Sequence, residues 1–324
     1  MIPAVAHFVW LGERMPWTAT LAIRSALLRG GFERAILHHE ETLARSDILS
    51  ELDRIDGLAR EIIDPERICD DASTADAPLY PVYRQLDAPV ARSNVLRYAL
   101  LHRRGGVYLD ADTLTVRDLD DLRGSCGAFV GRERIVYPAR VANSRNPFTL
   151  AAASIRREVR NGLRCLPDGW RAFRRIERYY PEAENCAVFG CRAGHPMIRR
   201  RLDAIARVPA PRRNVRYALG THLLQRTLAA HREHDVRVLE PDAFYPLPPE
   251  ISEHWFRLRR RLPRLSEVVQ PATRVVHWYA SVRAQPWLAR IDAEFLRRHR
   301  GDQLFSALAC DLLDGAAADR LATP

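Results

Sequence analysis

Four side chains in one short stretch have types and spacing that suit chemistry on a charged ligand: Asn94, Arg97, Asp110 and Asp112. Asn94 and Arg97 are three apart in a strongly helical segment, so they share one helix face. Asp110-Ala111-Asp112 follows the apolar run Val107-Tyr108-Leu109, and two residues of spacing in extended chain predict two carboxylates on one side. Carboxylates that close repel one another. They stay ionised most readily when a divalent cation sits between them and a ligand. Mg²⁺ or Mn²⁺ commonly takes one or two carboxylates and completes its shell with diphosphate oxygens and water. Such a metal neutralises charge building on a leaving diphosphate, and Arg97 supplies a second positive contact.

An Asp-x-Asp tripeptide alone is weak evidence, so the elements around it matter. Pro89 opens a helix over Val90–Arg104, and Gly105-Gly106 closes it and returns the chain into the strand Val107–Leu109. Upstream, the pattern predicts a strand at Val5–Trp10, a helix over Trp17–Leu28, a strand at Ala35–Leu37 and a helix near Thr42–Asp53. A strand at Glu61–Asp64 and a long irregular loop over 65–88 follow. Downstream come a strand over Gly127–Gly131 and a helix from Asn146-Pro147 to Asn161-Gly162. Further strands are expected at Ala187–Phe189, Val236–Leu239 and Val275–His277. Strands alternating with helices predict an α/β fold, a mostly parallel sheet flanked by helices, whose carboxyl edge is where ligands bind. No internal repeat or linker divides the chain. One domain over 1–324 is expected, with a ligand-binding core in 1–150 and a more helical, Arg-rich acceptor side with closing elements in 151–324.

Composition sets outer bounds. The chain has 324 residues, is 47% hydrophobic and carries net charge +10. All 50 basic residues are Arg, which points to coding bias; the positive field still attracts diphosphates, anionic lipid or nucleic acid. No nucleic-acid motif accompanies it. No run of about 18 apolar residues is present and the N-terminus lacks a signal-peptide pattern, so a cytoplasmic protein is expected. The six cysteines form no Cys-x-x-Cys pair and are expected to be reduced thiols. The stretch Phe256–Leu262 alternates basic and apolar residues, which suits either a solvated loop or a peripheral contact with an anionic inner-membrane face.

The runs Ala91-Arg92-Ser93-Asn94-Val95-Leu96-Arg97-Tyr98 and Gly105-Gly106-Val107-Tyr108-Leu109-Asp110-Ala111-Asp112 closely resemble the sugar-nucleotide-binding region of DxD glycosyltransferases. That family includes yeast-type initiating mannosyltransferases, bacterial capsular sugar transferases and large clostridial glucosylating toxins. The opening from Ile2-Pro3 to Leu11-Gly12 resembles its first strand, and His277-Trp278-Tyr279-Ala280-Ser281 its C-terminal motif. Asn185 to Pro196, Gly220-Thr221 and Phe244-Tyr245-Pro246 fit the layout between. The resemblance implies a GT-A, Rossmann-like fold, a nucleotide-diphosphate sugar donor (UDP-hexose first, GDP-mannose second), Mn²⁺ or Mg²⁺, and retention of anomeric configuration. The acceptor is left open among saccharide, lipid-linked sugar, natural product and protein. By position, Trp10 stacks on the donor base, and Asn94 and Arg97 hold sugar and diphosphate. Asp110 contacts ribose and the metal's shell, and Asp112 binds the metal. Asn185 lies near the transferred sugar, while His277 and Ser281 close over the diphosphate, with Ser281 also a metal ligand. Two positions depart from the pattern: the family usually has Asp at the place of Asn94 and often Trp at the place of Val282, for which Trp287 is a candidate substitute. Two other readings stay open. Asp110 and Asp112 also match the nucleophile and acid/base pair of haloacid-dehalogenase-type phosphatases, although the Lys those enzymes usually need is missing. An inactive glycosyltransferase-like binding protein is the other.

Overall fold

The computed structural model describes residues 1–321 except 216 and 232, without the side chains of 44–45, 282–283, 285 and 315–321. Seven strands form one sheet in the order β3-β2-β1-β4-β7-β6-β8: β1 (Val5–Trp10), β2 (Arg34–His39), β3 (Leu58–Ile62), β4 (Gly106–Leu109), β6 (Ala128–Arg134), β7 (Glu182–Cys191) and β8 (Val236–Leu239). β3, β2, β1 and β4 run parallel, as do β6 and β8; β7 is antiparallel to both β4 and β6. The expected mostly parallel, helix-flanked sheet is present, with one reversed strand, β7, in its interior. Residues beyond 150 supply β7 and β8 to this same sheet.

Alternation along the strands feeds two separate cores. Val107 and Leu109 of β4 pack with Phe8 and the helix Thr18–Arg29 on one face. Tyr108, between them, packs on the other face with Val95, Leu96 and Ala99 of the helix Pro89–Arg104. A third core gathers Trp170, Trp255, Trp278 and Phe305 under the C-terminal half. His38, with no metal-ligand partner evident in sequence, is a buried core histidine bonded to His7 at 3.0 Å.

Several local expectations need correction. Residues 65–88 contain two short helices, Pro65–Asp70 and Tyr80–Arg84; Asp64 caps the first by accepting from the Arg67 amide, a side-chain cap that the Asp-Pro pair already advertised. The third strand lies at Leu58–Ile62, because it must align with Ala35–His39 of β2. The helix expected near Thr42–Asp53 is broken into a 3-10 turn (Glu41–Arg45) and one α-turn (Leu49–Leu52). Asp110–Asp112 is not extended: it forms a turn between β4 and a strand missed in the sequence, β5 (Thr113–Thr115). β5 pairs antiparallel with β9 (Val275–His277) in a second, two-stranded sheet. In Phe256–Leu262 the alternation produces no apolar face, since Phe256 is core and Leu262 packs against it. All six cysteines are free, four of them buried.

The Gly105-Gly106 return is demanded by the backbone. Both residues have positive φ, 64° and 102°. A Cβ on Gly106 would stand 2.7 Å from the Val5 carbonyl oxygen of the neighbouring strand. Gly106→Ala is therefore expected to cost on the order of 3 kcal/mol, from left-handed strain plus a clash with rigid backbone. Chemical denaturation measures it; a loss under about 1 kcal/mol would contradict this reading of the turn.

Candidate active site

Asp110 leaves the carboxyl end of β4 at the centre of the sheet, where β7 turns irregular. Val130 of β6 pairs with Phe189, but Gly131 pairs with Asn185, so residues 186–188 bulge from that ladder. Asn185 holds the bulge, its Oδ1 accepting from the Ala187 amide at 2.8 Å. The displaced carbonyls then face the site. Ala187 O accepts from the Asp110 amide at 2.8 Å, and Cys186 O accepts from Arg97 Nη1 at 2.9 Å.

Arg97 is buried and its donors are shared within the protein. It reaches Asp110 Oδ1 at 3.2 Å, bonds the Ser93 hydroxyl and carbonyl, and lies 4.4 Å over the Tyr108 ring. Burial is the largest single influence and opposes its charge, but Asp110, Tyr108, Cys186 and Tyr98 together outweigh it and the guanidinium stays ionised. Its position thus orients Asp110, whose Oδ1 also accepts from the Tyr108 hydroxyl at 2.7 Å. Asp110 Oδ2 takes no hydrogen bond among the described residues.

Asp112 comes under the C-terminal motif because β5 and β9 are paired: Thr113 stands opposite His277. His277 Nε2 lies 3.0 Å from Asp112 Oδ1, and the Ala280 amide donates to Oδ2 at 2.7 Å. Ala280 begins a π-helical turn over Ala280–Ala284, and the preceding Tyr279 has φ 58°. Left-handed non-glycine residues and π-turns concentrate where a backbone group must be aimed. Burial pushes all three titratable groups toward neutrality, with different results. Asp110 stays raised, by burial and by Asp112, with Arg97 opposing. At Asp112 burial is outweighed by the charge and hydrogen bond of His277 and by the Ala280 amide, so its carboxyl is lowered. His277 is raised, because Asp112 and Asp110 overcome its burial.

Asp110, Asp112 and His277 each offer a ligand atom within 4.8 Å of the others. Two carboxylates and an imidazole at the carboxyl edge of an α/β sheet suit a divalent cation, Mn²⁺ at least as well as Mg²⁺. Among the described residues a second acidic group of this kind is His195, Glu233 and Asp235. There Arg192 and Arg200 already balance the two acids, and His195 caps the helix Pro196–Ala206 with Nδ1.

The other sequence candidates are distributed around this cluster. Asn94 is buried beside Cys186, and its amide nitrogen would lie 3.1 Å from a Cβ placed on Gly220, so glycine there makes room for it. Trp10 ends β1, half-buried, and its indole nitrogen has no hydrogen-bond partner among the described residues. Ser281 is exposed within the π-turn. Val282's side chain lies outside the described residues; Trp287 packs against the third core.

Sequence reasoning missed Glu133 and Tyr279 as a pair. Glu133 on β6 is buried and accepts from the Tyr279 hydroxyl at 2.7 Å. Burial pushes Glu133 up to about 7, against hydrogen bonds from Tyr279 and Asn185 that favour its ionised form. Through Tyr279 it anchors the backbone that presents the Ala280 amide to Asp112. The strand expected in sequence stops at Gly131, and nothing local marks Glu133 as inward.

An acid pair and an imidazole stand at the carboxyl edge of a mostly parallel, helix-flanked α/β sheet, the edge at which such sheets bind ligands. Residues 31–126 match the family model described as "Glycosyltransferase sugar-binding region containing DXD motif", and Asp110-Ala111-Asp112 lies inside the matched region. No curated protein matches it. Solved structures of similar fold include the PaToxG glycosyltransferase, at 15% identity over 71% of this chain and 69% of that one, with TM-score 0.45. Mouse xyloside xylosyltransferase 1 in its apo form is similar at 14% identity over 84% of this chain and 96% of that one, TM-score 0.43. The UDP-bound glycosyltransferase domain of the YGT toxin is similar at 10% identity over 73% and 79%, TM-score 0.39.

Proposed function

We propose that the protein moves a sugar from a nucleotide-diphosphate donor to an acceptor with the help of a divalent metal at Asp110 and Asp112. The observation that carries this reading is the convergence of Asp110, Asp112 and His277 within 4.8 Å, inside a DXD sugar-binding region. Mn²⁺ or Mg²⁺ at that cluster supplies Lewis-acid stabilisation of the departing diphosphate. Asp112 is held ionised for it by His277 and the Ala280 amide. Asp110 is oriented by Arg97 and Tyr108, with Oδ2 left for ligand. Asn94 holds sugar hydroxyls as donor and acceptor, Trp10 lies against the base, and Asn185 shapes the wall beside the transferred sugar. Ser281 closes over the diphosphate and adds a hydroxyl to the metal's shell. UDP-hexose is the first donor to try and GDP-mannose the second. Retention of configuration and the division into a donor core (1–150) and an acceptor side (151–324) come with the family resemblance.

The test is donor hydrolysis in the absence of acceptor. Purified protein incubated with a panel of UDP- and GDP-sugars and Mn²⁺ is expected to release nucleotide from one donor, and EDTA is expected to abolish release. Metal-dependent donor binding without turnover, even with candidate acceptors present, would favour the inactive relative that Asn94 in place of Asp allows. Failure to bind any donor would overturn the assignment.

A further inference from the structure

We propose that the outer face of the helix Pro147–Cys165 is a docking surface for an anionic lipid membrane. From the Phe256–Leu262 segment it takes only Leu258, Arg260 and Arg261, since Phe256 is core and Leu262 packs against the core. Phe148, Ile155, Val159 and Leu166 are spaced seven, four and seven apart, so they line one side of the helix and its C-cap. They are 83, 65, 42 and 51% exposed. Leu258, 50% exposed, extends the stripe: its neighbour Arg257 donates to the Leu166 carbonyl oxygen at 3.0 Å. The exposed large apolar side chains among the described residues outside this helix, its C-cap and Leu258, such as Ile62, Val90 and Tyr179, are scattered along the chain. Concentration on one face, as here, marks an interaction surface.

The rim identifies the occupant. Arg145 precedes the stripe and Arg260 and Arg261 follow Leu258; all three are exposed and pair with no carboxylate among the described residues. Apolar side chains bordered by guanidinium groups fit a lipid surface, with the hydrocarbon entering the headgroup boundary and the arginines meeting lipid phosphates. A second copy of this chain fits less well. A two-fold contact would set the same Arg rim against itself in a protein of net charge +10. Among the described residues no helix is long and apolar enough to cross a membrane, so the contact is peripheral. The helix is also tied to the site's own sheet: Arg160 pairs with Glu250 at 2.5 Å, and Glu250 accepts from the Val136 amide, just past the end of β6 that carries Glu133.

Co-sedimentation of the full chain tests this, using vesicles of phosphatidylcholine alone and with 30 mol% phosphatidylglycerol (about a third anionic lipid, a usual anionic-leaflet mimic). Binding is expected to the anionic vesicles, weaker at high salt, and to fall at least about tenfold in the double variant Phe148→Asp/Ile155→Asp. Those side chains are solvent-exposed, so the variant's melting temperature should be unchanged. Equal binding of variant and wild type, or no preference for anionic vesicles, would overturn the proposal. A concentration-dependent dimer lost in the same variant, without vesicle binding, would overturn it in favour of a second copy. The readout needs neither donor nor metal, so its outcome is separate from that of the donor assays.

Discussion

Asp112→Asn is expected to lower donor turnover at least about a thousandfold while the protein remains folded. Lewis-acid stabilisation of a leaving diphosphate is worth several kcal/mol, and each 1.4 kcal/mol is about tenfold in rate. The amide keeps the size of the side chain and can still meet His277 and the Ala280 amide, whose present distances are 3.0 and 2.7 Å. What it removes is the charge. Nucleotide release measured against wild type, with circular dichroism as the folding control, reads the effect. A loss of tenfold or less would mean that Asp112 is not where the metal's charge is needed.

The second large effect concerns stability. Glu133 is buried, and its carboxyl is pushed from 4.5 to about 7. A carboxyl with a raised folded-state pKa binds its proton more tightly folded than unfolded. Its contribution is fully present below about 4.5 and is lost as pH rises through about 7. A shift of that size corresponds to about 3 kcal/mol. Glu133→Gln keeps an acceptor for the Tyr279 hydroxyl and removes the titration. The variant is therefore expected to equal wild type near pH 4.5 and to exceed it by up to about 3 kcal/mol at pH 8, measured by urea denaturation across that range. Parallel pH profiles for the two proteins would contradict the assignment of a buried, proton-binding Glu133.

The segment from Pro89 to Asp112 was legible because its determinants are local. A proline at the first helical position, two glycines with positive φ and an apolar strand fix the Asn94, Arg97 and Asp110 neighbourhood without distant information. The convergence of Asp110 and Asp112 was expected for a partly mistaken reason. Extended alternation does not bring them together; a turn does, locked by pairing of Thr113–Thr115 with Val275–His277 across more than 150 residues of chain. The two β-branched threonines flanking Leu114 in Thr113-Leu114-Thr115 are the available signal for that strand, but its partner is not fixed by pattern. Arg97 was expected to face a ligand's phosphates, and it is found bonded to Asp110, Ser93 and Cys186. That arrangement depends on the bulge at 186–188, which pairing of β7 with two different neighbours creates. Glu133 was illegible for the same reason: its inward direction follows from the bulge and from Tyr279, far away in sequence.

The central claim is that Asp110 and Asp112 bind a nucleotide diphosphate through a divalent metal. Calorimetric titration of UDP into the protein, with Mn²⁺ and then with EDTA, addresses it most directly, and GDP serves as the second nucleotide. Binding of one nucleotide with Mn²⁺, weakened at least about tenfold by EDTA and equally by Asp112→Asn, is the expected result. Nucleotide binding of the same strength with and without metal, or no binding of either nucleotide, would contradict it.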